Sequence, residues 1–569
     1  MAMERRWVRK PAPDAVLVEA LSKELNINAT LAAMLIQRGI SDFEEAKAFF
    51  RPSLDTLHDP FLMKDMDLAV KRLQQAITNN EKILVYGDYD VDGTTSVSLF
   101  YGFLSGKYPN MDYYIPDRYK EGYGISTQGI DYAKENGFTL IVSLDCGIKS
   151  IDKIEYANSL GIDFIICDHH NAGEELPKAI AVLDPKRLDC NYPYKELSGC
   201  GVGFKLLQAL CIANNYEQKE LYNYLDLLAI SIASDIVPIT GENRIFTYFG
   251  LKLINIRPRP GISALKEIAG LKKGMEVSSI VFGFAPRINA AGRIAHAEIA
   301  VELLLSKTDE VAQALSETIN DRNTQRKDFD KTITEEAINM IESDEELLNS
   351  KSTVLFKEDW HKGVIGIVAS RCIEKYYKPT IIFTQSNGHA AGSARSVEGF
   401  DVYEAISQCS DLLEQFGGHK YAAGLTLKVD NLPAFQRKFE KVVSASITEE
   451  QLIPLVTIDL SISLNQVNEK FYNIIKQMAP FGPMNMEPVF VSENVYDTGQ
   501  SRLLKGEHLK LHIKQAGSEP VEAIGFGMAE YFPGIASKRP FNLCYKISEN
   551  DFNGKKSLQL LVRDIKFVD

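Results

Sequence analysis

IICDHHNAGEELP, residues Ile165–Pro177, closes an apolar run with Asp168, His169 and His170 in succession. A strand end needs only a turn, which Asn171, Ala172 and Gly173 supply. The carboxylate and two imidazoles therefore ask for a partner. Two upstream runs have the same form: KILVYGDYD (82–90) ends in Gly-Asp, and FTLIVSLDCG (138–147) ends in Asp145. Helical segments such as TTSVSLFYGFLSG (94–106) and IDKIEYANSLG (151–161) lie between them. Apolar strands alternating with helices predict a mostly parallel sheet covered on both faces. Ligands of such sheets bind beyond the carboxyl ends of the strands, so GDYDVDG (87–93), Asp145 and DHH (168–170) are expected on one rim.

Working outward, the chain of 569 residues is long enough for several domains. Residues 1 to about 50 read as short helices around LVEALSKEL (17–25) and ATLAAMLIQRGI (29–40), with Ser41 as the N-cap of a third. A charged stretch from Thr308 to Leu348 carries apolar residues at helical spacing and predicts one or two long connecting helices. A second α/β unit follows, with strand STVLF (352–356), a helix in KGVIGIVASRCIEKYY (362–377) and strand PTIIFTQ (379–385). Beyond residue 455 short alternating segments such as LKLHIKQ (509–515) predict a small all-β domain of the OB type. The expected division is an N-terminal helical segment at 1–50, a catalytic domain at 51–265, a helical connector at 266–349, a smaller α/β domain at 350–445 and an OB-like domain at 446–569.

Charge and cysteine content narrow the classes. A net charge of −13 speaks against a broad nucleic-acid-binding face but leaves room for a narrow basic channel. The eight cysteines are scattered with no C-x-x-C pair, which argues against zinc ribbons and disulfide scaffolds. MAMERRWVRKPAPD (1–14) has no apolar run after its basic residues, and no stretch approaches the length of a membrane span. A cytoplasmic protein without membrane contact is expected.

Each acidic motif has an ordinary explanation when taken singly. DYDVDG (88–93) resembles the start of a calcium loop, yet its twelfth position is Leu99 rather than glutamate. A carboxylate after a strand commonly caps the next helix, as Asp145 could, and adjacent histidines can be a solvated turn. Taken together, Asp88, Asp90 and Asp92 at two-residue spacing, Asp145, and the DHH triplet put hard or borderline ligands at successive strand ends. Asp235, an acid within the apolar run SIASDIVP (231–238), joins them, because buried acids are paired or metal-bound. Carboxylate and imidazole without thiolate favour Mn²⁺ or Mg²⁺ over structural zinc. So many ligands suit two ions about 4 Å apart, a hydrolytic arrangement for phosphoryl groups.

GDYDVDG, SLDCG (143–147), CDHH (167–170) and ASDIVP (233–238), in this order, resemble the motifs of the DHH phosphoesterase superfamily. IPDRYKEGYG (115–124), PRINAAGRI (286–294), WHKGVIGIVASR (360–371), GSARS (392–396) and GGHKYAAG (417–424) narrow the resemblance to the RecJ branch, single-strand-specific 5′→3′ exonucleases, over residues 50–430. The resemblance implies an α/β fold: a parallel-sheet DHH catalytic domain, a long connecting helix, a smaller α/β DHH-associated domain and a C-terminal OB-like β-barrel. It implies that Asp90, Asp92, Asp145, His169, His170 and Asp235 ligate the metals, with Asp88 a nearby helper and His170 also stabilising charge on the phosphate. One departure is Tyr86, where family members often carry histidine, which bears on how the first metal is completed.

The glycines of AAGSARS (390–396) and FGGHKYAAG (416–424) can expose N–H groups to an anion, or can simply form a tight turn. Arg395 can hold a phosphate bidentately beside Ser393 and His419, and Arg118 and Arg293 can clamp phosphates from the catalytic side. Arg293 could equally form an interdomain ion pair, and Tyr114 and Tyr123 are candidate base-stacking surfaces or core residues. The expected function is hydrolysis of single-stranded DNA from its 5′ end to mononucleotides with two Mn²⁺ or Mg²⁺ ions. By resemblance it acts in DNA repair and recombination, alongside a helicase and a single-strand-binding protein. The alternative is a DHH phosphodiesterase of short oligonucleotides or cyclic dinucleotides. A DNA-binding scaffold with a dead site is disfavoured by the intact ligand set, and a pyrophosphatase leaves the tail unexplained.

Overall fold

The structure is a computed structural model that describes residues 4–272, 274–294, 296–552 and 554–568, without the side chains of 552 and 555. It divides into two units. One comprises Ala48–Arg326 with Ala479–Met486; the other comprises Met1–Lys47, Lys327–Met478 and Glu487–Asp569. The division falls within the 34-residue helix Asp309–Glu342, which realises the long helix expected from the charged stretch. The N-terminal region corrects the sequence expectation at its start. Arg6–Arg9 form a strand, β1, ahead of the helices Ala15–Leu25, Ala29–Ile36 and Phe43–Phe50. Four residues carry no detectable period, so only their distant partner reveals the strand.

The first unit is built on a parallel sheet of β2 (Lys82–Gly87), β3 (Met111–Tyr114), β4 (Phe138–Leu144), β5 (Asp163–Cys167) and β6 (Ala181–Leu183). Its order is β3-β2-β4-β5-β6, and every neighbouring pair is parallel. Alternation along each strand fills both faces. Ile83, Val85, Leu140, Val142 and Ile165 enter one core, while Leu84, Tyr86, Ile141, Phe164 and Ile166 enter the other. Helices Val91–Leu104, Gly199–Asn214 and Leu225–Ser234 pack in the larger core and direct their ends to the carboxyl rim.

The second unit holds three sheets. The mixed sheet β10-β11-β9-β8-β7 consists of β7 (Thr353–Phe356), β8 (Thr380–Ser386), β9 (His389–Arg395), β10 (Gln415–His419) and β11 (Ala422–Lys428). β12 (Leu455–Ile458) pairs in parallel with β1. The last sheet contains β13 (Leu460–Ser461), β14 (Phe490–Asp497), β15 (Arg502–Leu504), β16 (His508–Lys514), β17 (Val521–Gly525), β18 (Phe541–Phe552) and β19 (Lys555–Phe567). Its neighbours run β14-β18-β19-β17-β16, and β16 pairs back onto β14. This closes a five-stranded barrel, the OB architecture.

The helix Leu225–Ser234, which leads into Asp235, lies hard against Gly241–Ile256 at Gly250. A Cβ there would stand 2.2 Å from the Leu225 carbonyl oxygen and 2.5 Å from the Ala229 Cβ. Gly250→Ala should therefore cost about 1–3 kcal/mol, read as a lower denaturant midpoint of this unit. An unchanged midpoint would mean that the two helices part without cost.

Candidate metal centre

The rim is assembled from strand ends and helix ends. β2 stops at Gly87, and the chain turns directly into the helix Val91–Leu104. Asp90 is the N-cap of that helix, its Oδ1 accepting from the Gly93 N–H at 3.0 Å, and Asp92 lies in its first turn. Asp88, Asp90 and Asp92, whose two-residue spacing would share a side only in an extended segment, lie instead on a strand–turn–helix corner. Asp145 follows β4 with a φ of 61° and does not cap the next helix, whose N-cap is Ser150. Asp235 is the C-cap of Leu225–Ser234, not an interior residue. Ile236 after it has a φ of 61° although it is β-branched, a costly conformation that the surroundings must hold.

These elements converge on His169. Its Nε2 lies 3.2 Å from Asp145 Oδ1, 3.5 Å from Asp235 Oδ2 and 3.8 Å from Asp92 Oδ2. Candidate ligand atoms of Asp145, His169 and His170 lie within 4.8 Å of one another, and so do those of Asp92, His169 and Asp235. Apart from the 3.2 Å approach of His169 Nε2 to Asp145 Oδ1, both ring nitrogens of His169, Asp145 Oδ1 and Asp88 Oδ2 are buried without a hydrogen-bond partner. Buried polar atoms are almost always paired, so these atoms fit a cation. Asp92 is held in place from behind: Oδ2 accepts from the Gly199 N–H at 2.8 Å, and Oδ1 accepts from the Cys200 N–H at 3.0 Å and the Ser231 hydroxyl at 2.7 Å. Gly199 must lack a side chain, since its Cβ would lie 2.5 Å from that of Asp145.

Asp168 has a different task from its neighbours. Its Oδ1 pairs with His170 Nδ1 at 2.7 Å and accepts from the His169 and His170 backbone N–H groups, while Oδ2 accepts from Ile148 N–H. It thereby turns His170 Nε2 outward, 3.4 Å from the Tyr123 hydroxyl. A carboxylate behind an imidazole fixes its tautomer and raises its basicity. Tyr86, the departure from the family pattern, is buried; its hydroxyl donates to the Gly124 carbonyl and accepts from the Ser126 N–H, and its ring stacks on Tyr114. It braces the EGYG loop from within the core. Tyr114, hydrogen-bonded to Glu121, is part of the same brace, whereas Tyr123 is exposed beside His170.

The electrostatics follow from burial and crowding. Burial, then Asp92 and Asp90, push Asp235 up to about 8. Burial, then Asp92, Asp90 and Asp235, push Asp145 well above the carboxylate range, and burial with Asp90 does the same to Asp88. Burial, then Asp92, raises Asp90. Burial lowers His169 to about 4. Burial also disfavours charge on His170, but its bond to Asp168 and the nearby acids outweigh this and hold it at about 9.

The phosphate candidates fall into two places. In the first unit the Arg118 guanidinium lies 4.9 Å over the Tyr89 ring. Arg118 and Arg293 both act on the Tyr89 and Tyr119 hydroxyls, and Tyr119 donates to the Arg293 carbonyl. In the second unit the register sets Arg395 and His419 opposite Ala422, and Ser393 and Gly417 opposite Gly424. Directly opposed residues share a sheet face. Ser393, Arg395 and His419 therefore border one floor, with open space above Gly417 and Gly424. Arg395 donates to the Ser393 hydroxyl at 3.1 Å, and Gly366, in the first turn of the helix Ile365–Tyr376, lets that helix end approach both.

One acid of the rim escaped the sequence analysis. AVLDPK (181–186) repeats the pattern of an apolar run ending in aspartate, and Asp184 is buried at the end of β6. Three residues are too short a strand to stand out by period.

Comparison with known proteins places the chain in a family. Residues 82–232 match the model of the DHH family N-terminal domain, 349–445 the DHHA1 domain and 458–564 the RecJ OB domain. The chain is 37% identical to the single-stranded-DNA-specific exonuclease RecJ of Bacillus subtilis, over 99% of the chain and 71% of that protein. It is 34% identical to the protein of that name in Escherichia coli, over 88% and 90% respectively. It superposes on the crystal structure of RecJ in complex with Mn²⁺ from Thermus thermophilus with a TM-score of 0.85 at 26% identity, covering 99% of the chain and 80% of the other. The corresponding Mg²⁺ complex gives 0.79 at 25% identity, covering 99% and 79%.

The shifted groups predict a pH signature. A group whose folded value is raised loses its stabilisation as pH climbs through that value. Asp235, raised to about 8, and His170, raised from 6.5 to about 9, both act in this sense. His169 is neutral in both folded and unfolded states above 6.5. The chelated protein should therefore lose thermal stability as pH rises from about 6.5 to 9, and excess Mn²⁺ should flatten the profile. A chelated Tm that rises across this window would contradict the acidic cluster.

Proposed function

The chain belongs to the RecJ family, and we propose that it degrades single-stranded DNA from the 5′ end, releasing mononucleotides, through the residues that surround His169. It is a single-stranded-DNA-specific exonuclease with Mn²⁺ or Mg²⁺ as cofactor. The observation that carries the site assignment is the set of orphaned atoms, Asp88 Oδ2, Asp145 Oδ1 and both nitrogens of His169, in a buried ring of acids.

Asp90, Asp92, Asp145, His169, His170 and Asp235 would hold two ions, which supply Lewis-acid charge and a lowered pKa for bound water. Asp168 orients His170, leaving Nε2 to meet the metal or a phosphoryl oxygen. Asp88 is a neighbouring acid that can keep or release a proton at Oδ2. Arg118 and Arg293 grip phosphates of the strand. Ser393, Arg395 and His419 take a terminal phosphate on their glycine floor, which sets the direction of digestion. The OB barrel adds a sequence-tolerant grip by stacking and charge. We assign the division into catalytic, connecting, DHH-associated and OB regions as expected from sequence. We infer work in cytoplasmic DNA repair and recombination, with a helicase and a single-strand-binding protein as partners. Among the described residues no helix is long and apolar enough to cross a membrane.

A long single strand labelled separately at each end tests this. Immediate release of the 5′ label as mononucleotide, abolished by chelator and by His169→Ala, is expected. An intact long strand with cleavage of short oligonucleotides alone would move the protein to the small-substrate phosphodiesterases. Asp168→Asn should lower Mn²⁺ affinity or activity about 10–100-fold, measured by metal titration and rate. Arg395→Ala should raise KM about ten- to a hundredfold for 5′-phosphorylated strands, the scale of a charged hydrogen bond.

A further inference from the structure

The acids of the rim leave a phosphodiester facing strong negative potential, and Arg118 lies on the Asp88 side. The opposite side has its own cation. β6 pairs with β5 through Cys167 and Leu183, and the Asp168 N–H donates to the Leu183 carbonyl at 3.0 Å. The chain after Leu183 therefore runs alongside the DHH segment. Asp184 is 0% exposed; its Oδ1 accepts from the Lys186 N–H at 2.7 Å, and its Oδ2 has no partner. This short turn fixes the backbone from which the Lys186 side chain springs.

The Lys186 ammonium is only loosely paired. Its nearest carboxylate is Glu196 Oε2 at 3.9 Å, and its side chain is 25% exposed. Geometry ties this pair to the Asp235 side: the Asn243 amide donates to both the Glu196 and the Pro238 carbonyls, and Pro238 follows Asp235 by three residues. We propose that Lys186 is a further substrate-binding residue, whose ammonium grips a backbone phosphate of the DNA strand on the Asp235 side of the metal centre. The inference rests on the exonuclease assignment. Lysine suits the task, being a mobile point charge that follows a phosphate without demanding a fixed fork geometry.

Steady-state kinetics on an end-labelled single strand, at saturating Mn²⁺ and over a range of salt, test it in the full chain. Lys186→Gln should raise KM about tenfold with kcat little changed, the scale of one charge-assisted contact. The slope of log KM against log salt should shrink by about 0.7, the counterion released by one phosphate contact on a single strand. Lys186→Arg should restore both. Unchanged KM and slope in Lys186→Gln, with tighter Mn²⁺ binding in a direct titration, would make Lys186 a mere electrostatic neighbour of the acids and overturn the proposal. A wild-type chain that leaves the strand intact would sink the exonuclease assignment and this contact together; an active wild type with an indifferent Lys186→Gln sinks the contact alone.

Discussion

Carboxylates forced together without water, each raising the pKa of the next, govern this molecule. Two carboxylates about 4 Å apart repel by roughly 4 kcal/mol even at an effective dielectric of about 20, and Asp92, Asp145 and Asp235 all face one imidazole nitrogen at 3.2–3.8 Å. A fold tolerates this only if the surrounding parts are rigid. The sheet fixes the ends of β4 and β5, helix packing at Gly250 fixes Asp235, and the start of the helix Gly199–Asn214 clamps Asp92. The backbone angles of Asp145 and Ile236 are further signs that the rim is set by its surroundings and not by local preference. The same repulsion is what a divalent cation relieves, so the free energy stored in the crowded ring of acids becomes metal affinity.

Much of this was legible in the sequence. A parallel sheet sends every strand's carboxyl end to one side, so acids that end apolar runs at Asp88, Asp145 and Asp168 had to share a rim. The closed barrel and the long helix were likewise visible as changes of period and charge. What could not be read was orientation. Nothing in the string DHH tells that Asp168 turns back to hold His170 while His169 faces the acids. Nor does spacing distinguish an extended DYDVD from a corner that begins a helix at Val91. Those distinctions depend on the backbone N–H groups of Ile148, Gly199 and Cys200, which come from remote segments.

The two glycine-rich stretches illustrate a second limit. Their composition fits a tight turn and an anion cradle equally well. Pairing shows what composition could not: β9, β10 and β11 form a regular ladder, in which Gly417 and Gly424 clear a floor and Ser393, Arg395 and His419 lie at its border. The floor is made by the register, a property of pairs of segments and not of either alone.

β1 carries a consequence of another kind. Its partner β12 lies 449 residues further along, from Arg6 to Leu455. At a ribosomal pace of roughly 5–20 residues per second, that is about 20–90 seconds between the emergence of the two strands. The catalytic sheet, contiguous between Lys82 and Leu183, is complete long before then. β1 is made before the catalytic sheet and paired after it, so during synthesis it stays an unpaired edge while that sheet is already complete.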